Sequence, residues 1–148
     1  MIAKPGNVGN PKVTASPYLY FGGRCDEAIE FYEQAVGAEV QFVFRYKDGP
    51  DQSMTPPAAG DKVMHARILV GNTVIFVSDG HCEGKTDFKG FSLSIAAPSE
   101  ADAERIFEAL AKGGSVTMPM GKTFFSPKFG MVVDKFGVPW MVIKEEPA

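Results

Sequence analysis

With 148 residues, 45% of them hydrophobic and 22% charged, the chain fits one ordinary globular domain or two small modules sharing a core. A formal net charge of −3 and a pI near 5.4, with 15 basic residues scattered and never clustered, leave no footprint for nucleic acid or an anionic membrane. The longest apolar runs, such as Val74 to Val77, fall far short of the roughly 20 residues of a membrane span. The N-terminus also lacks the layout of a signal peptide, so the sequence reads as cytoplasmic.

Residues 1–12 hold Gly, Pro and Asn with few apolar positions and read as a flexible lead-in. "SPYLYF" closes on Gly22-Gly23, which predicts a strand and a turn. "CDEAIEFYEQAVG" changes period. Ala28, Ile29, Tyr32, Ala35 and Val36 share one helical face, acids occupy the first turn, and Gly37 stands where a helix ends. "AEVQFVFRY" sets Val40, Phe42 and Phe44 against Glu39, Gln41, Val43 and Arg45, as a half-exposed strand would. Lys47 to Lys62 is rich in Pro and Gly and reads as a long mobile loop or flap. "VMHARILVGNTVIFVSD" predicts a hairpin: strands over Val63–Val70 and Thr73–Ser78, joined at Gly71-Asn72.

The second half repeats this order. "GFSLSIAA" is a strand, and "PSEADAERIFEALAKGG" a helix with Ser99 as cap, Asp102 at the reciprocal position and Gly113 as stop. A short strand follows around Val116–Met118, then a loop with Phe124, Phe125 and Phe129, then the hairpin "GMVVDKFGVPWMVIK". Within "DKFGVPWM", Asp134 to Gly137 reads as a turn in which the acid bonds the bend, and Pro139 starts the last strand. Two βαβββ modules result, over 13–80 and 89–148 with a connecting loop at 81–88, and duplication is the economical explanation. Two cysteines, Cys25 and Cys82, have neither disulfide-framework nor zinc-ribbon spacing and read as free thiols.

The paired modules, with "EAIEFYEQAVGAE" at the front and "VVDKFGVPWMV" at the back, resemble the vicinal oxygen chelate superfamily of glyoxalases, dioxygenases and bleomycin- or fosfomycin-resistance proteins. "SPYLYFGGRCDEAIEFY", "HARILVGNTVIFVSD" and "DKFGVPW" are similar to its PhnB-like branch, often labelled demethylubiquinone-methyltransferase-like. Methyltransfer itself is not expected, since no glycine-rich loop joins a strand to a helix with an acid beyond it. The resemblance implies an α+β fold: an open, cup-shaped mixed β-sheet barrel with helices outside. It also implies a homodimer, in some members with each cup shared between chains. Superfamily members usually hold a divalent metal from the first, fourth, fifth and eighth strands. Those places fall here beside Pro17, near Ile75, near Ser92 and on Met141, none a usual ligand. No metal ligand and no cofactor are therefore expected, and a divalent metal in an unusual site remains the alternative.

The polar candidates for the cup are His65 and Arg67, two apart on one strand, with Asp79 at the end of its hairpin partner. As a site, they would hold an anionic or zwitterionic molecule, or let His65 act as a base with Asp79. As structure, Arg67 would pair with Asp79 and His65 would be a satisfied histidine. Tyr18 and Tyr20 share a face, and Tyr20, Phe76, Phe125, Phe129 and Trp140 are the candidate ring lining, set against the need of any such domain for core aromatics.

Three functions remain open from the sequence. One is a binding protein for a small organic molecule, with an aromatic-lined cup lacking the usual metal ligands. The second is a metal-dependent or His-based lyase, isomerase or dioxygenase-type enzyme of the same superfamily. The third is an interaction subunit whose own side chains fill the cup.

Overall fold

The computed structural model describes residues 12–50, 59–81 and 84–145. Residues 51–58 of the predicted loop over 47–62 lie outside these residues, as does Cys82. The elements run β1 (Tyr18–Tyr20), α1 (Cys25–Val36), β2 (Glu39–Arg45), a 3₁₀ turn at Tyr46–Asp48, β3 (Val63–Val70) and β4 (Thr73–Ser78). The second set is β5 (Leu93–Ala97), α2 (Glu100–Ala111), β6 (Ser115–Gly121), β7 (Phe129–Val133) and β8 (Pro139–Lys144). They form two four-stranded sheets, ordered β1-β4-β3-β2 and β5-β8-β7-β6. In each, the outer pair (β1 with β4, β5 with β8) is parallel and the rest antiparallel, so both sheets are mixed and neither closes into a barrel. The fold is the expected α+β pair of βαβββ modules.

The helices form where apolar spacing and end signals agree. Cys25, Ala28, Ile29, Tyr32 and Ala35 are the buried face of α1, and Gly37, at φ 68°, ends it in the left-handed conformation. In α2, Ser99 accepts the Asp102 N–H at 3.0 Å, and its hydroxyl lies 2.9 Å from the Asp102 carboxylate. Against β7 this helix comes so close that a Cβ on Gly130 would stand 2.8 Å from the Phe107 ring. Only glycine allows that approach.

Each sheet buries one face beneath the helices. Leu19, Ala66, Ile68, Ile75 and Val77 of the first sheet, with Ala97, Val132, Trp140 and Val142 of the second, join both helices in one hydrophobic cluster. Two strand predictions need correction. β2 carries an irregularity between Val40 and Phe42, which puts Val40 opposite the buried Ile68 while Phe42 and Phe44 lie opposite Arg67 and His65 on the other face. The even-numbered residues of β2 therefore do not share a face, and Val43 packs against the core instead. β6 is longer than the predicted Val116–Met118, because Pro119 lies in an edge strand, where a missing donor is tolerated.

Candidate functional site

Along β3 and β4 the burial alternates. Ala66, Ile68, Ile75 and Val77 point to the helices, while His65, Arg67, Val74 and Phe76 remain partly exposed on the opposite, open face. Register then assembles a row across all four strands on that open face: Tyr18 beside Phe76, Phe76 beside Arg67, Arg67 beside Phe42. The next residues outward are Tyr20, His65 and Phe44.

Six rings make one continuous layer there. Tyr18 lies 5.0 Å from Tyr20, 5.6 Å from His65 and 5.8 Å from Phe76, measured between centroids. His65 stacks on Phe76 at 5.2 Å and meets Phe42 at 5.4 Å, and Phe42 meets Phe44 at 5.0 Å. Tyr18, Tyr20 and Phe44 are 39%, 56% and 48% exposed, so the layer faces outward. At its Tyr18–Tyr20 end it slopes into an open cavity of about 450 Å³, lined also by Met64, Ser78 and Lys85.

Two polar groups break this apolar surface. The Tyr18 hydroxyl lies 2.9 Å from His65 Nδ1. Burial raises the Tyr18 phenol above its ordinary value of 10.0, with neighbouring Tyr20 adding to the rise, so it remains protonated at neutral pH. When that phenol donates to Nδ1, the imidazole carries its own proton on Nε2. Arg67 is different. Its Nε is shut from solvent with no hydrogen-bond partner, and the side chain forms no ion pair among the described residues.

Asp79 does not join His65 or Arg67. It is 1% exposed, and both its oxygens are taken by backbone donors: Oδ1 accepts from the N–H of Gly23 and Cys25 at 2.8 Å each, Oδ2 from that of Val63 at 2.9 Å. It ties the start of α1 and of β3 to the end of β4. Both oxygens serve the fold, and neither is bonded to His65 or Arg67. Trp140 is likewise not at the cup. It is 3% exposed on the helix side, 5.6 Å from Tyr32, and its indole N–H donates to Asp134 at 2.9 Å.

Asp134 bonds the bend as expected, accepting from the N–H of Phe136 and Val138 at 2.9 and 3.1 Å. Beyond that it reaches Tyr32 of α1, whose hydroxyl donates to Oδ2 at 2.5 Å. Burial and the charge of Asp134 push the Tyr32 phenol far up. A sequence offers no local signal for a bond spanning 102 positions.

The other predicted rings belong to the second sheet. Phe125 is 44% exposed and covers the buried Phe129, their rings perpendicular at 5.1 Å. The open face of this sheet is otherwise rich in Met: Ser94, Met141, Met131 and Met118 stand in one row. Phe42 and Phe44 join the ring layer although plain alternation assigns them to a face with Val40.

Donors for the metal usual in this superfamily are not in place. Ile75 is buried on the helix side, and Met141 lies between Ser94 and Met131 on the open one. Pro17 and Ser92 precede β1 and β5, and among the described residues no group of three or more His, Cys, Asp or Glu stands together. A thioether is a weak donor for a hard divalent cation, and one hydroxyl beside it does not make a site.

The profile of the family described as 3-demethylubiquinone-9 3-methyltransferase matches residues 13–143. The chain belongs to that family. Another protein similar to it is Protein YjdN of Escherichia coli (strain K12), 34% identical over 142 residues, covering 89% of this chain and 97% of YjdN. Among solved structures, protein PA1353 of Pseudomonas aeruginosa is 42% identical with a TM-score of 0.80, over 92% of this chain and all of that one. The PhnB protein of Bacillus cereus is 27% identical with a TM-score of 0.75, covering 89% and 99%. A glyoxylase/bleomycin resistance protein/dioxygenase domain from Frankia sp. EAN1pec, 18% identical with a TM-score of 0.61 over 95% and 100%, shares the fold. The family is thus a PhnB-like one of glyoxalase fold, and its description names no reaction shown for this chain. No helix among the described residues is long and apolar enough to cross a membrane.

Proposed function

We propose that this member of the family binds a small, flat organic molecule against the open face of its first sheet, and that the working unit is a cytoplasmic homodimer. The continuous outward-facing layer of Tyr18, Tyr20, Phe42, Phe44, His65 and Phe76 carries the reading. Such a surface is costly to leave in water, and stacked rings offer flat apolar area that a planar molecule matches. The second sheet also leaves Met118 of its open face 43% exposed, and Phe125 of the loop before β7 is 44% exposed. A second copy whose second sheet faces the first sheet of this chain would cover both and complete a cup.

The neutral fluorophore N-phenyl-1-naphthylamine tests this. Saturable binding at one per chain is expected, and Phe76→Ala should weaken it by about tenfold, the loss for removing a buried ring contact of about 1.4 kcal/mol. Binding that never saturates, or that Phe76→Ala leaves unchanged, would sink the reading. A His-based enzyme is the second reading, favoured by the Tyr18 hydroxyl that orients His65. It requires turnover that His65→Gln abolishes while melting is unchanged.

A further inference from the structure

Arg67 stands in the middle of the aromatic layer, flanked in register by Phe42 and Phe76. Its Nε is secluded and unpartnered, a state that costs free energy unless an acceptor arrives. Among the described residues none is supplied there. β1, β3 and β4 contain no acid, and Glu39 of β2, opposite Leu69, is exposed and makes no ion pair with Arg67. Asp79, near in sequence to β4, has its oxygens occupied by three backbone N–H groups. Nor do the strands of the second sheet, which a second copy would bring opposite, hold any Asp or Glu. No acid among the described residues meets Arg67, which leaves that place to the anionic group of a molecule in the cup.

We infer that the cup selects a flat aromatic acid, with Arg67 as the anchor for its anionic group. This rests on the ligand-binding reading above. The planar guanidinium presents N–H donors in a fork matched to the paired oxygens of a carboxylate or sulfonate. Phe42 and Phe76 on either side and Tyr18 beyond would hold the ring system, and the low-dielectric surroundings would strengthen the charged bond. His65 stands on the same face as a further donor.

Two fluorophores that share a skeleton separate this inference from the reading under it: 8-anilinonaphthalene-1-sulfonate, which is anionic, and neutral N-phenyl-1-naphthylamine. Wild-type protein should bind the sulfonate at least about tenfold more tightly than the neutral probe, as a charge-assisted bond predicts. Arg67→Gln should abolish the preference for the sulfonate over the neutral probe, while Arg67→Lys should keep part of it. Equal affinity of wild type for both probes, or a preference that survives Arg67→Gln, overturns the anchor and leaves the cup standing. Failure of both probes to bind overturns cup and anchor together. Melting of ligand-free Arg67→Met guards against a purely structural arginine: its melting temperature should equal or exceed that of wild type, and a clear fall would assign Arg67 to the fold and overturn the anchor.

Discussion

The two sides of the sheets treat charge in opposite ways. On the helix side, Asp134 is 2% exposed and meets four donors, and Asp79 is 1% exposed and meets three. On the open side, Arg67 keeps a secluded Nε that nothing meets. Charge that the fold uses is saturated, because a half-bonded buried ion destabilises. Unused bonding capacity therefore separates the surface kept for something else from the surface that holds the chain together.

Substitution should show the same division. The largest loss is expected at Asp134. Asp134→Ala strands donors from α1, the bend and β8 at once and should cost about 3 kcal/mol or more, with Asp79→Ala next at about 2–3 kcal/mol. Urea unfolding measures both, and losses below about 1 kcal/mol would break the contrast with Arg67.

Tyr32 gives an intermediate effect with a pH signature. Its phenol is raised in the folded state, so the stability it lends is fully present below its ordinary value of 10.0 and is lost as pH rises above that, where the unfolded chain ionises first. Wild type should lose stability above about pH 10 at up to about 1.4 kcal/mol per pH unit more steeply than Tyr32→Phe. Parallel pH profiles of the urea midpoint would contradict the burial of this phenol against Asp134.

The smallest effect is expected at the surface. Arg45 holds Asp26 with two bonds of 2.9 Å, but the Asp26 side chain is 57% exposed, and solvent screens the pair. Its carboxyl is lowered chiefly by the Arg45 hydrogen bond, so the contribution exists above the ordinary value of 3.8 and fades as pH falls through the lowered one. Asp26→Asn should cost under about 1 kcal/mol at neutral pH and nothing at about pH 2, as read from thermal melts.

Much of the fold was legible because its signals are local. The period of α1, the Ser99 cap, and the turns at Gly71-Asn72 and Asp134–Gly137 each rest on neighbours within a few residues. The site was legible in part. His65, Arg67, Phe76 and Tyr20 share the open face because alternation along a regular strand fixes it. Phe42 and Phe44 were hidden by a bulge that no residue of "EVQFVFR" announces. Asp79 and Trp140 were misplaced for a different reason: both are polar or polar-tipped groups satisfied by partners that only the tertiary fold supplies, Gly23 and Cys25 for one and Asp134 for the other. Phe129 of β7 and Phe125 of the loop before it meet each other, as neighbours in sequence do.

The central claim is about where a flat molecule rests, and nuclear Overhauser contacts between ring-labelled protein and unlabelled N-phenyl-1-naphthylamine test it most directly. Contacts to Tyr18, Phe42 and Phe76, with none to the Trp140 indole, are predicted. Contacts confined to Phe124 and Phe125, or to Trp140, would contradict the account.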